Sequence, residues 1–122
     1  MELPILYALT YPSRLPDSGV RRFDPVAASP LTFEPVRRDV FRAFHAGVEA
    51  GRAGGTAPAA FNAANEEAVA AFLEGRITFG RITDIIEGVL ARHAGAALVD
   101  ADSVRQTDAE ARAHARRLVS TS

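Results

Sequence analysis

The apolar positions of this chain follow a helical period over its last two thirds and no period at all between residues 13 and 36. Ile82, Ile85, Ile86, Val89 and Leu90 sit at i, i+3, i+4, i+7 and i+8, the stripe of a helix that buries one side, and Gly95 follows its end. Upstream, Phe61, Ala64, Ala68, Val69, Phe72 and Leu73 lie on a similar stripe. They follow Thr56, a residue suited to the N-cap, with Pro58 tolerated in the first turn and Gly75 beyond the last. A helix over 38–52 places Phe41, Phe44 or His45, and Val48 on one side, and Gly54-Gly55 supplies a left-handed stop. The last helix is expected to open at Thr107-Asp108-Ala109-Glu110, where the end residues can satisfy each other's backbone N–H, with Ala111, Ala115 and Leu118 as a weakly apolar stripe.

The first third reads differently. Residues 4–10 can make two helical turns, because Pro4 suits an early helical position and Pro12 stops continuation. Ile5, Leu6 and Leu9, with Tyr7 beside them, need a surface that the neighbouring sequence does not supply. From Pro12 to Pro35, prolines 12, 16, 25, 30 and 35 and Gly19 leave only two strand-like runs, 19–23 and 29–34. Such a stretch is expected to be an extended linker, with Leu31-Thr32-Phe33 able to add to a sheet edge. The expected fold is mainly α: a short terminal helix at 1–12 whose apolar side needs a surface outside this stretch, a linker with a short strand at 13–36, and a four-helix bundle at 37–122. The bundle follows because amphipathic helices cannot bury their stripes singly.

Composition narrows the functions open to this fold. A chain of 122 residues, 48% hydrophobic, buries one modest core, so a two-domain oxidoreductase does not fit within it. Fourteen basic residues against fifteen acidic ones leave a formal charge of -1 and no broad positive field, which argues against nucleic acid as a partner. With no cysteine, disulfides and thiolate or iron–sulfur chemistry are excluded. No apolar run is long enough to span a membrane and the opening residues do not resemble a signal peptide, so a cytoplasmic location without membrane attachment is expected.

No residue set points to catalysis or to metal binding. His45, His93 and His114 fall on different predicted helices, with no His-x-x-x-His or Glu-x-x-His pair. Glu66 and Glu67 are neighbours that diverge by about 100 degrees on a helix. Gly51-Arg52-Ala53-Gly54-Gly55-Thr56 precedes a helix but lacks the Gly-Lys-Ser/Thr ending of a phosphate loop, and a corner between helices explains its glycines. Asn62-Ala63-Ala64-Asn65-Glu66 runs against helix propensity. Asn62 or Asn65 is expected to hold backbone groups of a neighbouring loop, with a ligand pocket as the alternative. Catalytic, cofactor-binding and metal-binding residues are accordingly expected to be absent.

Several runs in order resemble the C-terminal third of the 1-deoxy-D-xylulose-5-phosphate reductoisomerase family. They are Met1 with Pro4-Ile5, Ala8-Leu9-Thr10-Tyr11-Pro12, Leu31-Thr32-Phe33-Glu34, the segment 49–56, Asn62-Ala63-Ala64-Asn65-Glu66, the segment 68–73, and 82–90. The chain departs from the family pattern at Phe41-Arg42-Ala43 and at Arg37. The resemblance implies an NADPH-dependent oxidoreductase and isomerase of non-mevalonate isoprenoid synthesis, forming 2-C-methyl-D-erythritol 4-phosphate. It further implies NADPH on an N-terminal domain, Mg2+ or Mn2+ on a central catalytic domain, and a homodimer. Met1 matches a family methionine near the nicotinamide pocket. On this reading the segment is a structural part of that enzyme and inactive by itself; the alternative is a stand-alone helical interaction module without enzymatic activity.

Overall fold

Small side chains decide how the helices of this protein approach one another. The computed structural model describes residues 2–15, 19, 23–93, 97 and 100–121. Among them it has five helices and no strand: α1 (Glu2–Thr10), α2 (Arg42–Ala53), α3 (Ala57–Leu73), α4 (Phe79–Arg92) and α5 (Ala101–Ser120). The mainly α architecture and C-terminal helical bundle follow the sequence reading. The chain divides into two units, Met1–Pro35 and Val36–Ser122.

In the first unit, α1 begins two residues before Pro4 and stops at Thr10, whose hydroxyl donates to the Leu6 carbonyl at 2.9 Å and closes the last turn. Arg14 folds back over the Tyr7 ring, 4.4 Å from its centroid, a cation–π contact. Ile5 and Leu9 remain exposed. The linker differs from expectation. Asp24 accepts from the backbone of Val26 and Ala27 and nucleates a turn, and 31–37 form neither helix nor strand. Phe33 is 88% exposed. A strand requires a partner to satisfy its backbone, and Leu31-Thr32-Phe33 has no ladder among the described residues. Residues 20–22 of the other strand-like run, Met1 and Gly95 lie outside the described residues.

In the second unit α3 is central. Its Ala60, Ala63, Ala64, Ala68 and Ala71 are fully buried and meet Ile82, Ile85, Ile86 and Val89 of α4 and Ala111, Ala115 and Val119 of α5. α3 and α4 each pack on the other three bundle helices, whereas α2 and α5 lie on different sides of them. Phe61, Val69 and Phe72 pack at the margins of this cluster. Leu73, assigned to the core stripe from its spacing, is 77% exposed.

Three further expectations are corrected. α2 starts at Arg42, not residue 38, because 38–40 form a turn in which Val40 and Phe41 both donate to the Arg37 carbonyl. Its inward side is not the aromatic one: Phe41, Phe44 and His45 are exposed, and Ala43, Ala46, Gly47 and Ala50 face the bundle. Gly47 sits so close to Phe61 that an added Cβ would lie 3.1 Å from its ring. Small residues win this side because they let α2 lie against α3 and seat that ring. α5 opens seven residues earlier than expected, at Asp100, which accepts from the Ser103 amide at 2.8 Å while Ser103 Oγ accepts from the Asp100 amide. Thr107, expected as a cap, is buried mid-helix instead.

The turns match the backbone chemistry of their glycines. Gly54 and Gly55 both have positive φ at the α2–α3 corner. At the end of α3, Gly75 (φ 71°) donates to the Phe72 carbonyl and Arg76 to that of Ala71, the paired bonds of a Schellman motif. Exchanging Ile86→Ala should lower stability by about 2–5 kcal/mol, since it opens a cavity at a fully buried site. Leu73→Ala should change it by no more than about 0.5 kcal/mol. Urea midpoints at constant m-value measure both, and equal effects would contradict this core.

Candidate functional site

The polar residues that the sequence singles out divide between a brace on the α3–α5 seam and a groove near the end of α4. The brace begins with Asn62, whose Nδ2 donates to Glu66 Oε1 one turn on at 3.0 Å. Glu66 Oε2 in turn accepts from Arg112 at 2.6 Å. Arg112 also donates to Asp108 at 2.7 Å, and Arg116 makes a two-pronged pair with Glu67 at 2.7 and 2.9 Å. Glu66 and Glu67 thus converge on one partner helix through long side chains, despite their angular separation on α3. The hydrogen bonds from Arg112 and Asn62 hold the Glu66 carboxyl below its ordinary value, and Arg116 does the same for Glu67. Arg112 is pushed the other way, first by Asp108 and then by Glu66.

This arrangement is a clamp between helices rather than a hold on a neighbouring loop. Asn62 is spent on Glu66, and Asn65 is half-buried on α3. Pairs at this degree of exposure contribute modestly to stability but fix the rotation of α5 against α3. A second clamp ties α2 to α4, where Arg42 reaches both Glu87 and Asp84.

The groove is a half-open cavity of about 550 Å3 between the end of α4 and the stretch of α5 from Ser103 to Arg117. Ala60, Val89 and Ala111 form its floor, and Arg92, His93, Gln106, Glu110, His114 and Arg117 stand around it. His93 is the C-cap of α4, and its Nε2 lies 3.1 Å from the hydroxyl of Thr56, a nearly fully buried residue. The glycine corner and the end of α4 are thereby joined. Thr56 does not cap α3 through its side chain, contrary to the sequence expectation. His114 is lowered from its ordinary value by burial, then by the positive charges of Arg117 and Arg92.

Of the histidines, His45 stands apart and exposed on α2, whereas His93 and His114 share the groove. Sequence reading missed this meeting because it depends on the connection between α4 and α5. Its only trace was the His114-x-x-Arg117 spacing, which puts both on one side of a helix. Among the described residues, no group of three or more His, Asp or Glu side chains can hold a metal ion. No described helix is long and apolar enough to cross a membrane.

His114 gives the groove a testable pH response. Its folded pKa lies below its unfolded value, so the unfolded chain takes up the proton first as pH falls. Stability is therefore fully present above the ordinary value of 6.5 and declines as pH falls through it toward the folded value. The titratable and charged groups around this ring are Arg92 and His93 from the end of α4 and Glu110 and Arg117 from α5, while α3 contributes Ala60. In Arg117→Gln the His114 pKa should rise and the decline should shrink, as followed by ring resonances and denaturant midpoints. An unchanged titration would contradict the assigned cause.

The sequence is similar to that of known proteins over nearly its whole length. The family model described as the DXP reductoisomerase C-terminal domain matches residues 1–114. The 1-deoxy-D-xylulose 5-phosphate reductoisomerase of Geobacillus kaustophilus is 46% identical over 120 residues, covering 98% of this chain and 31% of that protein. The proteins of the same name from Lysinibacillus sphaericus and Listeria welshimeri are 43% and 42% identical, over 92% and 98% of this chain and 29% and 31% of theirs. The chain thus spans about a third of the length of these curated relatives.

Proposed function

Because the chain belongs to the 1-deoxy-D-xylulose 5-phosphate reductoisomerase family through that family's C-terminal domain, we propose that it is the structural helical segment of such an enzyme and leaves the chemistry to other domains. The full activity in this reading is the NADPH-dependent conversion of 1-deoxy-D-xylulose 5-phosphate to 2-C-methyl-D-erythritol 4-phosphate in the cytoplasm, with Mg2+ or Mn2+ and a homodimeric assembly. The observation that carries it is the near-complete coverage of this chain by about a third of each relative.

The described side chains do not fit the implied metal. Asp and Glu near the seam are engaged by Arg112 and Arg116, and no third acidic or imidazole ligand joins any pair. On this reading the metal and NADPH belong to the N-terminal and central domains, and no step of the reaction is assigned to a described residue. Residues 1–12 are read as the last helix of the catalytic domain, 13–36 as a linker over it, and 37–122 as the bundle. Ile5 and Leu9 of α1, exposed within this chain, suit such a role, since an apolar helical side gains stability only by being covered. Met1, which lies outside the described residues, remains the one candidate contact to the nicotinamide pocket.

A chimera provides the test. The Geobacillus kaustophilus relative, cut before its own matching segment, should lose NADPH oxidation with 1-deoxy-D-xylulose 5-phosphate. Joining residues 1–122 to it in frame should restore the rate to within about tenfold, the loss expected from imperfect packing at a remote interface. A folded, dimeric chimera with no activity would contradict the reading.

A further inference from the structure

The groove between α4 and α5 brings together two arginines that form no salt bridge among the described residues. Arg42, Arg52, Arg76, Arg112 and Arg116 all lie against carboxylates. The guanidiniums of Arg92 and Arg117 have no such partner among the described residues, although both border the groove. The one carboxylate there among the described residues, Glu110, accepts from Gln106 at 2.9 Å and pairs with neither arginine. His93 and His114 add two imidazoles, whose ring nitrogens can donate to an anion, to the same lining. Arg92, Arg117 and His114 all line this one cavity.

We propose that this groove binds a small phosphorylated metabolite, its phosphate held between Arg92, Arg117 and His114 and its remaining atoms resting on Ala60, Val89 and Ala111. The volume of about 550 Å3 falls in the range of small-molecule sites and exceeds what a bare ion fills. A floor of small apolar side chains with charged groups at the edge matches a ligand with a compact body and one dianionic end. Guanidinium groups present paired donors that suit phosphate oxygens. The α5 N-terminus is not the binding element, because the Ser103 amide is already taken by Asp100. His93, fastened to Thr56, links occupancy of the groove to the glycine corner between α2 and α3. The ligand is independent of the reductoisomerase reading, since every residue invoked lies in the bundle and none takes part in the reaction assigned to the other domains.

The test follows the histidine ring resonances of the 122-residue chain while ribose 5-phosphate is added at constant ionic strength, with inorganic phosphate and succinate in parallel. Ribose 5-phosphate should shift His114 saturably and raise its pKa, and inorganic phosphate should act at the same ring more weakly. Arg92→Gln and Arg117→Gln should each weaken binding about tenfold, the loss expected for one charged hydrogen-bonding partner. Arg105→Gln, on an exposed arginine paired with Asp102, should bind as the parent does. Both groove arginines are exposed, and retained helical circular dichroism checks that the variants fold. Absence of a saturable shift would overturn the proposal, as would undiminished binding in both groove variants or succinate binding as tightly as the phosphates.

Discussion

The close approach permitted by the alanines of α3 is the constraint on which the rest of the bundle depends. Five fully buried alanines along this helix leave room for the branched side chains of α4, so Ile85 and Ile86 fill the space that larger residues on α3 would occupy. The same economy holds on α5, where Ala111 and Ala115 meet α3, and on α2, where Gly47 seats the Phe61 ring. Tight packing of small against branched residues specifies one arrangement, because a shift along a helix trades a fit for a clash.

The charged residues act on this frame as orientation locks. Glu66 and Glu67 meet Arg112 and Arg116 along the α3–α5 seam, and Arg42 bridges α2 to Glu87 and Asp84 of α4. Since α5 is built from small and polar residues, with a narrower apolar stripe than α4, rotation about its axis is weakly resisted by packing alone. The arginine pairs supply the missing directionality. The Asn62-to-Glu66 segment, unfavourable as an isolated helix, is explained by this duty: Asn62 steadies Glu66, and Glu66 engages Arg112.

How much of this was legible in the sequence varied with the kind of signal. The i, i+3, i+4 stripe of α4 identified its core residues, because large branched side chains at helical spacing have few other uses. The same logic misassigned α2, where the aromatic positions Phe41 and Phe44 are exposed and the small ones are inside. Periodicity registers large residues and is nearly blind to alanine and glycine, whose role is to let backbones come close. The start of α5 was missed for a related reason: two capping boxes compete, and only tertiary packing on Thr107 and Ala111 chooses the earlier one. The strand expected at Leu31-Thr32-Phe33 could not be judged from local preference, since a strand exists only with a partner. The groove was least legible, because His93 and His114 are separated by a connection whose course the sequence does not state. The family, by contrast, was legible from ordered motifs, which carry constraints from packing that periodicity cannot see.

On the proposed reading the bundle contributes to an enzyme by holding shape, and the polar groups along its α3–α5 seam are consumed in doing so. The carboxylates on its seam are neutralised by arginines, and its described side chains offer no metal cluster. The most direct measurement of that division of labour is NADPH consumption by the isolated 122-residue chain with 1-deoxy-D-xylulose 5-phosphate and Mg2+. The account predicts a rate equal to that of buffer alone, and saturable turnover by this chain would contradict it.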